Sequence, residues 1–185
     1  ASRGLGDVYK RQAELNPRLE IEILPITTHG DRILDRPLRT IGGKGLFIKE
    51  LEVALKENRA DIAVHSMKDV PAEIPGGLHI PAVLVREDPR DVLLTNKGLT
   101  LDEIPKMSRI GTSSLRRRGQ ILSRRDDLRL RDLRGNVPTR IEKLEMGMFD
   151  AIVLAAAGLR RLGLLRENYR FLALEVMWPA IGQGA

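Results

Sequence analysis

Apolar and polar residues follow short, changing periods along the first half of this chain. Apolar runs predict strands over residues 20–27, 61–65 and 80–85, because each run is short and partly alternating. Between the first two runs, apolar residues recur at helical spacing over 46–58 and predict an amphipathic helix. Residues 1–12 show neither period. The first half is therefore expected to alternate strands with helices from about residue 13.

The second half of the chain repeats this alternation more regularly. It predicts strands over 109–111, 128–130 and 150–155, and helices over 114–124, 138–146 and 156–162, with Pro138 in a first helical turn. Strands that alternate with helices are typical of an α/β fold with mostly parallel sheets flanked by helices.

The charged, proline-containing segment 86–90 separates the two halves and predicts a hinge. We expect a first domain over 13–85 and a second over 91–178. The glycine-rich segment 179–185 has no capped final element and is expected to lead back toward the first domain, where the chain is cut off. Residues 1–12 are set apart as a segment of different origin.

Composition narrows the class of protein. Apolar residues make up 42% and charged residues 30% of the 185 residues, as in ordinary globular proteins. There is no cysteine, so the sequence contains no disulfide and no thiolate nucleophile. No apolar stretch is long enough to span a bilayer, and the three histidines lack the spacing of a zinc site. These features predict a cytoplasmic protein that contains no metal and does not associate with membranes.

Charge is concentrated in one segment, Arg109 to Arg140, which holds ten arginines, no lysine and three aspartates. The whole chain carries +6, so the remainder of the chain is nearly balanced. Arginine favours bidentate recognition of carboxylate or phosphate. A solvated basic helix face would explain the same run, but arginines that follow separate strands are expected to converge on one side. We therefore expect a site for a polyanion.

The segment opens on Gly111, three hydroxyl residues and a helix that begins with arginines. A helix that is capped by Thr or Ser at this turn offers backbone N–H donors and the positive end of its dipole to an anion. Leu115, Ile121 and Leu122 predict the buried face of that helix. A second turn, over 132–137, brings another arginine to the start of the next helix.

Two loops in the first half carry further candidate chemistry. Ser66, Lys68 and Asp69 follow a predicted strand, where ligands bind in open α/β sheets, and could supply a hydroxyl, a cation and a general acid or base. A polar loop in which Asp69 only caps locally fits the same residues. Gly42, Gly43, Lys44 and Gly45 lack the spacing of a phosphate loop and fit either a mobile lid or a plain turn.

Taken together, these stretches resemble the porphobilinogen deaminase (hydroxymethylbilane synthase) family. The resemblance runs in order from about Ala13 to Ala185. It is carried by Thr28–Asp31, Gly42–Phe47, Lys49–Glu52, Ala60–Pro71, Arg86–Asp91, Gly111–Arg117, Leu133–Asn136 and Pro179–Ala185.

The resemblance implies a transferase that condenses four porphobilinogen molecules head to tail into hydroxymethylbilane and releases ammonia. It implies two periplasmic-binding-protein-like lobes with a cleft between them, and Asp69 as the catalytic acid or base. Asp31 and Gly42, Gly43 and Gly45 would belong to a mobile loop near the site. The family's cofactor- and substrate-binding positions fall on Lys44, Ser66, Lys68, Thr112, Ser114, Arg116, Arg117, Arg134, Arg140, Arg161 and Gln183.

The sequence departs from the family pattern in two respects. Residues 1–12 lack the family's opening Arg-x-Ser-x-Leu-Ala motif. The family's dipyrromethane cofactor is attached to a cysteine of a third, α+β domain, and neither that cysteine nor that domain is present in this sequence. We therefore expect a fragment of the enzyme that does not turn over alone.

Two other classes of function remain as alternatives. A two-lobed module that binds small anions without catalysis would share the lobes and the arginines. Nucleic-acid binding would use the basic segment, but aromatics are only 3% of residues and no DNA-binding motif is present. The expected partners are therefore porphobilinogen and the growing polypyrrole, with no specific nucleic acid, and the chain is expected to be a monomer.

Overall fold

The computed structural model describes residues 5–27 and 48–185. The chain divides into two compact units, one formed by Ala1–Val85 with Ala185 and the other by Arg86–Gly184.

In the first unit, the described residues form two α-helices and one short 3₁₀ turn. Helix α1 spans Leu5–Leu15, helix α2 spans Lys49–Lys56, and the 3₁₀ turn spans Met67–Asp69. Ala54 of α2 is fully buried and Ile48 nearly so. The expected helix over 46–58 is thus confirmed for its central turns, and its first two residues lie outside the described part of the chain.

The three strands predicted over 20–27, 61–65 and 80–85 are wrong, since the structure assigns no strand to these residues. Their apolar side chains are largely exposed, as Ile23, Leu24, Val83 and Val85 show. A strand requires a hydrogen-bonded neighbour, and none of the described residues supplies one here. Conversely, α1 covers most of residues 1–12, where no period was recognised. Its Lys-Arg-Gln-Ala-Glu-Leu run favours a helix by intrinsic propensity.

The second unit is a five-stranded sheet with helices on both faces. Its strands are β1 (Asp91–Leu94), β2 (Arg109–Gly111), β3 (Arg129–Arg131), β4 (Ala151–Ala155) and β5 (Arg170–Phe171). Its helices are α3 (Leu115–Leu122), α4 (Val137–Glu145) and α5 (Ala156–Arg161). The expected strands and helices between residues 109 and 162 are confirmed to within a few residues at their ends, whereas β1 and β5 were not predicted.

The sheet order is β3-β2-β4-β1-β5, and the sheet is mixed. Strand β2 runs parallel to β3 and β4, but β1 runs antiparallel to both β4 and β5. The expectation of a mostly parallel sheet is therefore wrong for half of the strand pairs. Parallel neighbours need a crossover connection, which α3 and α4 provide, and β1 has no such helix before it within this unit.

Both faces of the sheet are buried, because alternate residues of each central strand pack into different cores. Val92 and Ile152 join the core that includes Leu133, whereas Leu93 and Val153 join the core that includes Ile121. All four residues of β1 are buried. A strand that is buried on both faces lacks the apolar–polar alternation of a half-exposed strand. Because β1 also directly follows the charged segment 86–90, its apolar run was not predicted as a strand.

Candidate functional site

The carboxyl ends of three parallel strands define one edge of the second unit's sheet. Thr112 follows β2, Leu133 and Arg134 follow the end of β3, and α5 follows β4 directly. Because β1 is antiparallel to β4, its first residue Asp91 pairs with Ala155 and lies at this same edge. We call this set of loops and strand ends the carboxyl edge. In open α/β sheets, ligands bind beyond this edge.

The three hydroxyl residues after β2 shape the turn into α3. Thr112 is almost fully buried and its Oγ1 accepts a hydrogen bond from the Ser114 amide at 3.2 Å. Ser113 Oγ contacts both the carbonyl oxygen and the amide of Leu133 at 3.0 Å, which joins this turn to the one after β3. Ser114 is the N-cap of α3, and its side chain accepts a hydrogen bond from the Arg117 amide. These contacts fix where the arginines of the first helical turn begin.

A buried carboxylate, that of Asp91, joins the first two of those arginines. Its Oδ2 accepts a hydrogen bond from Arg116 Nη2 at 2.6 Å, and its Oδ1 accepts one from Arg117 Nη2 at 2.7 Å. Gln183 Nε2 donates to Oδ1 at 2.9 Å and to the carbonyl oxygen of Pro89 at 2.6 Å. We call Asp91, Arg116, Arg117 and Gln183 the Asp91 cluster. It gathers three of the predicted binding residues around one carboxylate.

The two arginines of this cluster differ in exposure. The Arg117 side chain is 8% exposed, and its Nη1 also donates to the Val153 carbonyl oxygen at 2.9 Å. The Arg116 side chain is 24% exposed, and its Nη1 contacts the carbonyl oxygen of Trp178. Arg116 is thus the member that remains accessible to a ligand.

Burial alone would raise the pKa of Asp91, because it penalises the charged carboxylate. The neighbouring guanidiniums of Arg117 and Arg116 outweigh this effect, and the pKa lies below the ordinary carboxyl value. Asp91 is therefore ionised at neutral pH, and two guanidiniums against one carboxylate leave the cluster positively charged.

Asp91 was missed as a site residue by the sequence analysis. The signal available was an ionisable residue at the start of an unbroken apolar run, Asp91-Val92-Leu93-Leu94, where a charge must find partners.

The predicted buried face of α3 was also partly wrong. Leu115 is 64% exposed and Leu122 is 41% exposed, and of the three only Ile121 is buried. Arg117 lies inside because Asp91 and Val153 supply its acceptors.

Three further predicted arginines lie at the same edge and are half-buried: Arg134, Arg140 and Arg161. Arg140 Nε donates to the Gly135 carbonyl oxygen at 2.7 Å, and Arg161 Nη2 donates to that of Gly184 at 3.4 Å. The turn that carries Arg134 is fixed by Asn136, whose side chain caps α4 at 2.9 Å. The carboxyl edge thus carries guanidiniums from the three connections that follow β2, β3 and β4.

The rest of the basic segment does not lie at this edge. Arg109 and Arg129 are the first residues of β2 and β3, so they lie at the opposite edge of the sheet. Several arginines are also paired locally, in the bridges Arg109–Asp150, Arg118–Asp132 and Arg125–Asp127 at 2.7–3.0 Å. The expectation that this segment forms one polyanion surface therefore needs correction, because only part of it faces the carboxyl edge.

In the first unit, the predicted catalytic loop is the 3₁₀ turn Met67–Asp69. Ser66 precedes it with an extended backbone, and the Ser66 carbonyl oxygen accepts a hydrogen bond from the Asp69 amide at 2.9 Å. Asp69 is exposed, whereas Ser66 and Lys68 are half-buried. The loop thus presents an exposed carboxylate, although no strand precedes it. Five predicted loop residues, Asp31, Gly42, Gly43, Lys44 and Gly45, lie outside the described residues.

The described ranges, 5–27 and 48–185, contain neither a candidate membrane span nor a candidate metal site. No helix there is long and apolar enough to cross a membrane. No group of three or more His, Asp or Glu side chains there could hold a metal ion.

The second unit is a mixed α/β fold, and its carboxyl edge carries several guanidiniums. Compared with known protein families, residues 7–185 match the family described as porphobilinogen deaminase, dipyromethane cofactor binding domain. The chain belongs to this family. The match begins at residue 7, whereas the sequence motifs carried the resemblance from about Ala13.

Proposed function

We propose that this chain is part of a transferase that condenses four porphobilinogen molecules head to tail into hydroxymethylbilane, with release of ammonia. The observation that carries the proposal is the match to the porphobilinogen deaminase family over residues 7–185. The carboxyl edge of the second unit supports it, because each pyrrole of the growing chain bears an acetate and a propionate. Guanidiniums are suited to binding such carboxylates in fixed orientations.

The donors at the carboxyl edge also fit the family's dipyrromethane cofactor. The cofactor presents several carboxylates, and the edge offers half-buried guanidiniums from Arg116, Arg134, Arg140 and Arg161. These residues would hold its carboxylates, and Gln183 would contribute through its contact with Asp91. When bound, the cofactor supplies the pyrrole end to which the first substrate is added.

In this proposal Asp69 performs the proton chemistry. Its exposed carboxylate, on the 3₁₀ turn Met67–Asp69, would assist loss of the substrate amine and stabilise the cationic pyrrole that results. Ser66 and Lys68 would position the substrate beside it, as would Lys44. A passive receptor for carboxylates would gain nothing from a carboxylate there, since like charges repel.

Replacing Asp69 with asparagine tests this role in a complete homologue with the same loop. Asparagine keeps the size and polarity of the side chain but cannot carry charge or move a proton. We expect kcat for hydroxymethylbilane formation to fall by at least about 100-fold, in the range of general acid–base contributions, with substrate binding retained. Single-turnover assays with porphobilinogen and titration of substrate binding would measure both quantities.

Asp61→Asn is the matched control, because Asp61 is an exposed aspartate of the same unit that lies outside the loop. This variant should keep wild-type kcat. Full activity of the Asp69→Asn variant would remove Asp69 from its role. If the wild-type homologue binds carboxylates but does not condense porphobilinogen, that result would favour the anion-binding alternative.

A protein made only of these 185 residues is expected not to turn over. Covalent attachment of the dipyrromethane needs a cysteine, and the 185 residues contain none. Purified chain incubated with porphobilinogen should therefore carry no bound pyrrole after denaturation, by mass spectrometry, and should form no hydroxymethylbilane. A complete homologue treated identically is the control, and catalytic product formation by the 185 residues would overturn the expectation.

A further inference from the structure

The Asp91 cluster has features that a purely stabilising ion pair does not require. Buried ion pairs contribute little net stability relative to apolar residues of the same volume, because the charges lose their hydration. Here the arrangement also leaves Arg117 Nε buried with no hydrogen-bond partner among the described residues, which costs further free energy. Stability alone therefore explains this cluster poorly.

The geometry of the cluster fixes the direction of two guanidiniums before any ligand is present. Each oxygen of Asp91 accepts from one arginine, at 2.6 and 2.7 Å, and Gln183 adds a second donor to Oδ1 at 2.9 Å. Both oxygens are thus occupied, so the carboxylate cannot turn. Arg116 is held at Nη2 by Asp91 and at Nη1 by the Trp178 carbonyl oxygen, while part of its side chain stays exposed.

The cluster also sets the charge that a ligand meets. One carboxylate against two guanidiniums leaves an excess of positive charge at the carboxyl edge. Without Asp91, two adjacent guanidiniums would repel one another and separate. With it, they stay close together, and the edge can still attract an anion.

We propose that Asp91 is a positioning residue, whose buried carboxylate holds Arg116 and Arg117 in the orientation in which Arg116 binds a carboxylate of the substrate. This role rests on the proposed function. Asp91 does not touch the substrate and acts only through the guanidiniums. Preorganisation of this kind lowers the cost of binding, since the side chains are ordered in advance.

The first test observes the ligand-free wild-type chain by NMR of its arginine side chains. A preformed cluster predicts slow rotation about the Cζ–Nη bonds of Arg116 and Arg117, because their Nη atoms are held by Asp91. The exposed Arg129 should rotate fast and serves as the internal reference. Rotation of Arg116 as fast as that of Arg129 would overturn the positioning role, whatever reaction the protein performs.

The second test measures the Kd for porphobilinogen of the Asp91→Asn variant of a complete homologue that has the same cluster. Asparagine has the same shape, but it replaces one acceptor oxygen with an NH₂ donor that faces a guanidinium. We expect Kd to rise on the order of 10-fold or more, because small misplacements of a binding group are costly. Asp127→Asn is the matched control, since it removes a bridge to Arg125 at 2.7 Å that lies before the start of β3, away from the carboxyl edge. Its Kd should stay within about twofold of wild type.

The outcomes separate this inference from the proposed function. An Asp91→Asn variant of that homologue that is folded by circular dichroism and binds with wild-type Kd would overturn the positioning role alone. A complete wild-type homologue that does not bind porphobilinogen would overturn the proposed function, and the positioning role with it. If Asp91→Asn does not fold, Asp91→Glu replaces it, because glutamate keeps the charge but moves the carboxylate by one methylene. Kd should again rise, and an unchanged Kd would contradict the inference.

Discussion

At the scale of single residues, the pairing of Asp91 is the main finding that the sequence did not predict. Arg116 and Arg117 were expected at the site from their position after a capped turn, and both lie at the carboxyl edge. Their common partner is separated from them by about 25 residues, and Gln183 lies 92 residues from Asp91. Contacts over such separations depend on the strand order of the sheet, which no local pattern in the sequence encodes.

The Asp91 cluster predicts how stability depends on pH. The pKa of Asp91 is lowered in the folded protein from its usual 3.8, so the unfolded chain binds a proton more readily than the folded one. The stabilising contribution is therefore fully present above the ordinary carboxyl value, and it is lost as pH falls through the lower, folded value. We expect the urea midpoint to be constant near neutrality and to fall steadily below about pH 4.

Urea unfolding followed by circular dichroism between pH 7 and pH 2.5 measures this dependence. The pKa values of Asp88 and Asp150 are also lowered, mainly by hydrogen bonds from Arg90 and Arg109, and these residues contribute with the same sign. The exposed Asp126 lies outside the cluster, so Asp126→Asn should reproduce the wild-type profile. A midpoint as high at pH 2.5 as at pH 7 would contradict the prediction.

At the scale of helices and strands, prediction succeeded where local chemistry specifies the element. Helices α3 and α4 begin at Ser114 and Asn136, whose side chains cap them, and α4 has Pro138 in its first turn. Prediction failed where an element depends on distant partners. Strand β1 is buried on both faces and shows no alternation, and the apolar runs of the first unit have no strand beside them among the described residues.

Two glycines of the second unit should respond oppositely to the same substitution. Gly119 lies inside α3, and a Cβ there would meet no atom within 4 Å, so Gly119→Ala should stabilise the unit by about 0.5–1 kcal/mol. A Cβ on Gly111 of β2 would lie 2.8 Å from Phe149 Cδ1 and 3.0 Å from Ile152 Cγ2. Gly111→Ala should therefore destabilise it by about 1–3 kcal/mol through overpacking.

Each glycine variant is the control for the other, because both substitutions restrict the unfolded chain equally. Urea unfolding at neutral pH should give a higher midpoint for Gly119→Ala than for wild type and a lower one for Gly111→Ala. Equal midpoints for the two variants would show that the close packing around Gly111 does not limit stability.

At the scale of the whole molecule, the sequence motifs indicated the family, and the match over residues 7–185 shows it. They indicated less about how the residues of the second unit are arranged. The sequence predicted that the ten arginines form one basic surface. The fold instead divides them between the two edges of the sheet and pairs several with local aspartates. The functional roles of Asp69 and of the arginines at the carboxyl edge stay predictions that the proposed variants test.

The antiparallel strand β1 has a consequence for synthesis of the protein. Val92, Leu93 and Leu94 leave the ribosome early, but their hydrogen-bonding partners in β4 and β5 follow only at residues 152–154 and 170–171. During that interval this apolar run has no neighbouring strand, and such unpaired segments bind chaperones or other nascent chains. The second unit can complete its sheet only after translation has passed Phe171, so its folding is expected to be late and cooperative rather than sequential.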